Sequence, residues 1–146
     1  MTRYDVAGVG RGLHGRDVVA VRVPALEASS NFNRQGGVHA ATHLLTTQRP
    51  TAVVAGADPI AFGVLDAARK LGLSVPDDLS IVGFDDLSFA PFTNPPLTTV
   101  SIPRWRMATL AIRKLITLVQ RGSLEEALPE FTPSLITRKS TGPAPK

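Results

Sequence analysis

Residues 50–86 read PTAVVAGADPIAFGVLDAARKLGLSVPDDLSIVGFDD, and the fold follows from how this stretch is parsed. Thr51 to Ala55 (TAVVA) is too short and too apolar for a half-exposed strand, so it reads as a strand covered on both faces. Asp58-Pro59 then opens a helix, with the carboxylate expected at the N-cap and proline at the first helical position. Ile60, Ala61, Val64, Leu65, Ala68 and Leu71 fall on one stripe at helical spacing, and Gly72 supplies the stop. Leu79 to Phe84 (LSIVGF) is a second buried strand. Strand, helix and strand in this order form a unit whose two strands run parallel.

Working outward, Val38, Ala41 and Leu45 recur at helical spacing over residues 34–47, with Asn31 or Asn33 placed to cap the start and Arg49-Pro50 to end the helix. Residues 98–102 read as a short strand or crossover, Pro103 opens a helix running to Arg121, and 134–137 (SLIT) is a last short strand. Val18 to Val23 (VVAVRV) is a β-branched run stopped by Pro24, a further strand signal. The expected class is α/β: one mainly parallel sheet, with helices over 34–47, 58–71 and 103–121 packed on both faces. The glycine-rich residues 1–17 show no sustained period and read as a poorly ordered arm, and 141–146 as a tail.

Composition narrows the function. A chain of 146 residues, 43% apolar, can bury a core without staples, and the absence of cysteine excludes both a disulfide scaffold and thiol catalysis. No apolar run approaches the roughly 18 residues of a membrane span, and the N-terminus lacks the apolar block of a secretory signal, so the expected compartment is the cytoplasm. Sixteen Lys and Arg against twelve Asp and Glu give a net charge of +4, scattered along the chain apart from Arg104, Arg106, Arg113, Lys114 and Arg121. That reads as a solvated helix face, not a nucleic-acid footprint. His39 and His43 share a helix face at metal-ligand spacing, yet no glutamate adjoins His39, so no metal is expected. Gly8, Gly10 and Gly12 do not complete a dinucleotide fingerprint, and no cofactor is expected.

The segment from Pro50 to Pro103 resembles the effector-binding domain of the lac and gal repressor family of bacterial transcription regulators. The motifs that carry the resemblance are Pro50-Thr51-Ala52; Asp58, Ala61 and Gly63; Gly72, Val75, Pro76 and Asp78; Gly83-Phe84-Asp85-Asp86; Pro95-Pro96-Leu97-Thr98-Thr99; and Arg138 with Ser140. They occur in order, and the resemblance covers roughly residues 31 to 140. The resemblance implies that residues 18–140 form the C-terminal part of a periplasmic-binding-protein-like (type I) domain that senses a small-molecule effector, sugar or nucleobase-like, and forms homodimers. It implies contact with DNA only through a headpiece absent from this chain, and no membrane partner. A fragment of a sugar-type solute-binding protein, which shares the fold, is the alternative, and a helix-turn-helix coding region immediately upstream would separate the two. An enzyme reading would make Asp58 and Asp85 acid/base or metal carboxylates, but the chain offers no nucleophile or convincing base, so none is expected.

Ligands of open parallel sheets bind at the carboxyl ends of strands. Asp58 and Asp85 both follow such ends, where a carboxylate can accept hydrogen bonds from ligand hydroxyls; a helix cap and an Asx turn are their respective alternatives. Phe32 stands where the resemblance puts an aromatic stacking on the effector, with a hydrophobic staple as the other reading. These three residues are expected to converge on one open half-pocket. Asp86 reads as a local backbone partner and Trp105 as a packing residue. On a helical wheel Phe62 lies with Asp66 and Arg69, away from the apolar stripe. With Phe92 and Thr93, where the resemblance places the subunit contact, it is expected to form the dimer interface.

Overall fold

The computed structural model describes residues 9–11, 17–19, 28, 30–123 and 129–143, the first two segments by their strand pairing alone. The elements are β1 (Val9–Arg11), β2 (Asp17–Val19), α1 (Arg34–Thr47), β3 (Ala52–Val54), α2 (Asp58–Lys70), β4 (Ser80–Phe84), a short 3-10 turn (Ala90–Phe92), β5 (Thr98–Ser101), α3 (Arg104–Arg121) and β6 (Ser134–Ile136). A four-stranded sheet has the order β3-β4-β5-β6. β3 pairs parallel with β4 (Val53 opposite Ile81) and β4 parallel with β5 (Gly83 opposite Thr99), while β6 returns antiparallel to β5 (Val100 opposite Leu135). The parallel β3-α2-β4 unit is the one read from residues 50–86.

Local chemistry explains the boundaries. Asn33 caps α1, its side chain accepting the Gly36 amide at 2.8 Å, and Arg49, with φ of 48°, turns the chain out ahead of Pro50. Gly72, with φ of 73°, follows the last turn of α2 in the left-handed conformation that glycine adopts without strain.

The core lies between the two first helices and one face of the sheet, where Ala41, Leu45, Ala61, Val64, Leu65, Ala68 and Ile81 pack together. α1 and α2 meet through glycines. A side chain on Gly63 would overlap the Arg34 carbonyl and the Val38 amide, and one on Gly37 would overlap the Ile60 carbonyl. At the edge of this crossing Arg34 forks onto Asp66, Nη2 donating to Oδ1 at 2.8 Å. The hydrogen bond from Arg34 holds the Asp66 carboxyl below the ordinary carboxylate range, against the opposing effect of burial.

Three expectations need correction. Residues 18–23 do not join the main sheet within the described residues: Asp17–Val19 pairs antiparallel with Val9–Arg11, in a separate two-stranded sheet. A β-branched run specifies a strand but not its partner. Residues 20–23, most of the 1–17 arm and the end of the 141–146 tail lie outside the described residues.

Second, the described helices that pack on the sheet, α1 and α2, cover the face bearing Ile81 and Gly83. On the opposite face Val54 and Leu135 are exposed, and Val82, Phe84 and Val100 are half-buried. Third, α3 does not pack on the sheet. It leaves from Ser101 and its chain returns at Ser134, and these two residues are paired neighbours. None of its residues is buried. Its apolar arc, including Trp105, Ile112, Leu115, Ile116 and Val119, is exposed, and Pro129 and Phe131 share a shallow cavity with Trp105, Leu110 and Arg113 at its flank.

Two outcomes follow. Gly63→Ala forces backbone apart at the helix crossing and lowers stability by about 1–3 kcal/mol, whereas Gly56→Ala, with nothing within 4 Å of the added carbon, leaves the urea midpoint unchanged. Because the folded Asp66 carboxyl titrates below its unfolded value, its pair with Arg34 stabilises above about pH 4, and the contribution is lost as pH falls through that lowered value. Arg34 is 63% exposed, so the pair is worth only about 0.5 kcal/mol. Asp66→Asn therefore removes a small acid-side dependence from urea midpoints measured against pH.

Candidate functional site

Phe32, 77% exposed, lines a cavity of about 460 Å³ beside β3 together with Gly37, Leu44, Val54, Gly56 and Ile60. Neither Asp58 nor Asp85 lines that cavity. The expectation that all three line one open half-pocket is thus corrected, because Asp58 is wholly buried.

Asp58 is neither a cap nor an exposed ligand contact. The N-cap of α2 is Ala57, and Asp58 occupies the first turn with its side chain turned inward, wholly buried. Thr99 Oγ1 donates to its Oδ1 at 2.6 Å, and the Leu87 amide donates to its Oδ2 at 2.7 Å. Gly83 makes the room, since a side chain there would overlap Asp58 Oδ1.

Asp85 follows β4 directly. Its amide donates to the Val100 carbonyl at 2.9 Å, and its φ of 111° is uncommon for a residue with a side chain. The half-buried side chain has no hydrogen bond or ion pair within the described residues. Asp86, also at positive φ (50°), is held from three sides. Arg138 Nη2 donates to its carboxylate at 2.7 Å, Arg104 donates to its carbonyl at 3.1 Å, and its amide reaches Thr99 Oγ1 at 3.4 Å. Arg138 also donates to the Leu97 carbonyl at 2.8 Å. Sequence reasoning gave Asp86 a local backbone role and missed this ion pair. The recurring Arg-x-Ser near the C-terminus was its signal, and Ser140 is likewise buried, its hydroxyl donating to the Ile81 carbonyl and accepting the Thr98 amide.

The expected interface residues are placed separately. Phe92 is 80% exposed, and Thr93 is half-buried with its hydroxyl donating to the Ala90 and Pro95 carbonyls. Phe62 is not the outward aromatic expected: it is half-buried against the core. A wheel drawn on α2 alone ignores α1, which covers that flank. Phe89, unremarked in the sequence, is exposed beside Phe92. His39 and His43 are exposed, and the described residues contain no group of three or more potential metal ligands. No described helix is long and apolar enough to cross a membrane.

In open parallel sheets ligands bind at the carboxyl ends of strands, and comparison with known proteins gives this chain's lineage. The chain belongs to the periplasmic binding protein-like domain family, which matches residues 10–141, in the form carried by LacI-type regulators. It is 44% identical over 110 residues to an uncharacterised HTH-type transcriptional regulator of Streptomyces limosus, covering 75% of this chain and 31% of that protein. The transcriptional repressor AscG of Escherichia coli superposes with a TM-score of 0.72 at 32% identity, covering 82% of this chain and 44% of that one. A LacI-family regulator of Enterococcus faecium with bound ribose superposes equally well, at 28% identity over 80% of this chain and 43% of that one; further similar LacI-family structures hold sucrose or glucose. The chain spans about a third of the length of the curated relatives it matches.

Removing one partner of the Asp86–Arg138 pair leaves the other largely out of solvent. Arg138→Met lowers stability by about 1.5–3 kcal/mol, read as a shift of the urea midpoint, while Arg121→Met on the exposed end of α3 shifts it by less than about 0.5 kcal/mol.

Proposed function

We propose that this chain is the effector-sensing and dimerisation portion of a LacI-type transcriptional regulator, a binding protein and not an enzyme, acting in the cytoplasm with DNA contacted through a separate headpiece. The observation that carries the reading is the Asp85 carboxylate. It stands at the carboxyl end of β4, half-exposed, without a protein partner, on a backbone conformation that residues with side chains adopt at a cost. Ionised carboxylates accept hydrogen bonds from two or more hydroxyls, which suits a sugar, and the sugar-bound relatives support that class of effector.

Phe32 offers an exposed ring face at the neighbouring strand end. Among the described residues no two helices are joined by the short turn of a helix-turn-helix, so DNA readout by α1, α2 or α3 is not part of the proposal. The relatives are transcription regulators, which supports this reading over a solute-binding protein. For self-association we propose the surface around Phe89 and Phe92, with Thr93 beside it; Phe62, half-buried against the core, is not part of it.

Calorimetric titration of the chain with ribose, glucose and sucrose tests the site. Binding of one of them, weakened at least tenfold by Asp85→Ala without loss of melting temperature, is the expected result; equal affinity in the variant removes Asp85 from the site. Phe92→Asp is expected to shift the chain to monomer in sedimentation, and an unchanged oligomeric state locates the interface elsewhere.

A further inference from the structure

Asp58, wholly buried, carries two hydrogen bonds that α2 does not need. The helix is capped by backbone: the Ile60 and Ala61 amides both donate to the Ala57 carbonyl. One carboxylate oxygen of Asp58 instead takes the Thr99 hydroxyl on β5, and the other takes the Leu87 amide, the first backbone donor after Asp85 and Asp86. Those two residues are consecutive, are not glycine, and have φ of 111° and 50°. Such a turn persists only where its surroundings over-determine it.

Four groups hold this turn: Asp58 at Leu87, Thr99 beneath the Asp86 amide, and Arg138 and Arg104 on the Asp86 side chain and carbonyl. The only side chain of the Asp85–Asp86 pair left without a partner in this clamp is that of Asp85. We propose that Asp58 is a positioning residue for ligand binding. It does not touch the ligand; it pins Leu87 and so holds the turn in the left-handed form that presents the Asp85 carboxylate at the strand end. The inference rests on the reading of Asp85 as the effector contact, but its structural half stands independently of any ligand.

The same geometry constrains two further positions. Gly83 must lack a side chain because the Asp58 carboxylate lies against it, and Thr99 must supply a hydroxyl. Asp58, Gly83 and Thr99 therefore form one unit, although they lie on α2, β4 and β5. Arg104 opens α3, so the clamp also ties the presented aspartate to the helix that leaves the sheet.

The test uses the full 146-residue chain, labelled with nitrogen-15. Amide exchange is followed at residues 85–87, with Leu45 in the core as the folding control. Asp58→Ala is expected to raise exchange at Leu87 at least tenfold relative to Leu45. Thr99→Val is expected to do so in part, while Thr99→Ser, which keeps the hydroxyl, restores protection. Should Asp58→Ala fail to fold, the threonine pair reads the partner bond that orients the same carboxylate.

In ribose titrations, Asp58→Ala is expected to weaken binding tenfold or more, and Asp58→Ala with Asp85→Ala to be no weaker than Asp85→Ala alone, since one acts through the other. Wild-type exchange at Leu87 in Asp58→Ala, or in Thr99→Val where the alanine variant does not fold, overturns the inference, as do additive losses in the double variant. Unchanged ribose affinity in Asp85→Ala overturns the effector-contact reading instead. If ribose binds no form of the chain, the exchange data alone decide whether Asp58 holds the turn.

Discussion

A carboxyl group taken out of water has to find its hydrogen bonds inside the protein, because each buried polar group left unpaired costs about 1–3 kcal/mol. Asp58 is in that position where α2, β4 and β5 meet, and much of the surrounding structure answers to it. Thr99 must be a hydroxyl residue on the inward face of β5. Gly83 must be bare on the inward face of β4. The chain after Phe84 must swing so that the Leu87 amide points at the second oxygen, and it does so through two residues in the left-handed region. The parallel register that sets Gly83 opposite Thr99 brings the two groups under the same carboxylate.

What the sequence revealed and what it hid divide along the range of the forces involved. Signals that act within a few residues were legible: a cap at Asn31 or Asn33, Gly72 as a stop, TAVVA and LSIVGF as parallel neighbours around one helix. Asp58 was misread because an Asp-Pro pair suits both an N-cap and a first helical turn. Which one holds depends on Thr99 and Leu87, 41 and 29 residues away. Phe62 was misplaced for a similar reason, since its exposure is decided by α1, not by the stripe of its own helix. Gly37 and Gly63, interior to helices, were signals of close backbone approach that only the crossing geometry made specific. The resemblance to the lac and gal repressors pointed to the right motifs, but it could not say which of their aspartates faces inward.

Two apolar surfaces are exposed among the described residues. α3 is an 18-residue helix with a wide apolar arc, of the breadth that packs on a layer rather than on a single helix. The sheet face bearing Val54 and Leu135 is equally open, although parallel sheets are ordinarily enclosed on both sides. Relatives about three times as long carry the same domain within a larger body.

The glycine contact between α1 and α2 bears on how such a domain is able to move. Where backbone rests on backbone, with no intervening side chains to change rotamer, there is no compliant layer along which one helix slips past the other. The pair is fixed to the sheet through Ala41, Leu45, Ala61 and Leu65, an arrangement that resists shear between the helices. Displacement is left to the strand ends and the two-residue link between Ser101 and Arg104. A rigid block with its compliance gathered at one rim transmits rotation rather than absorbing it.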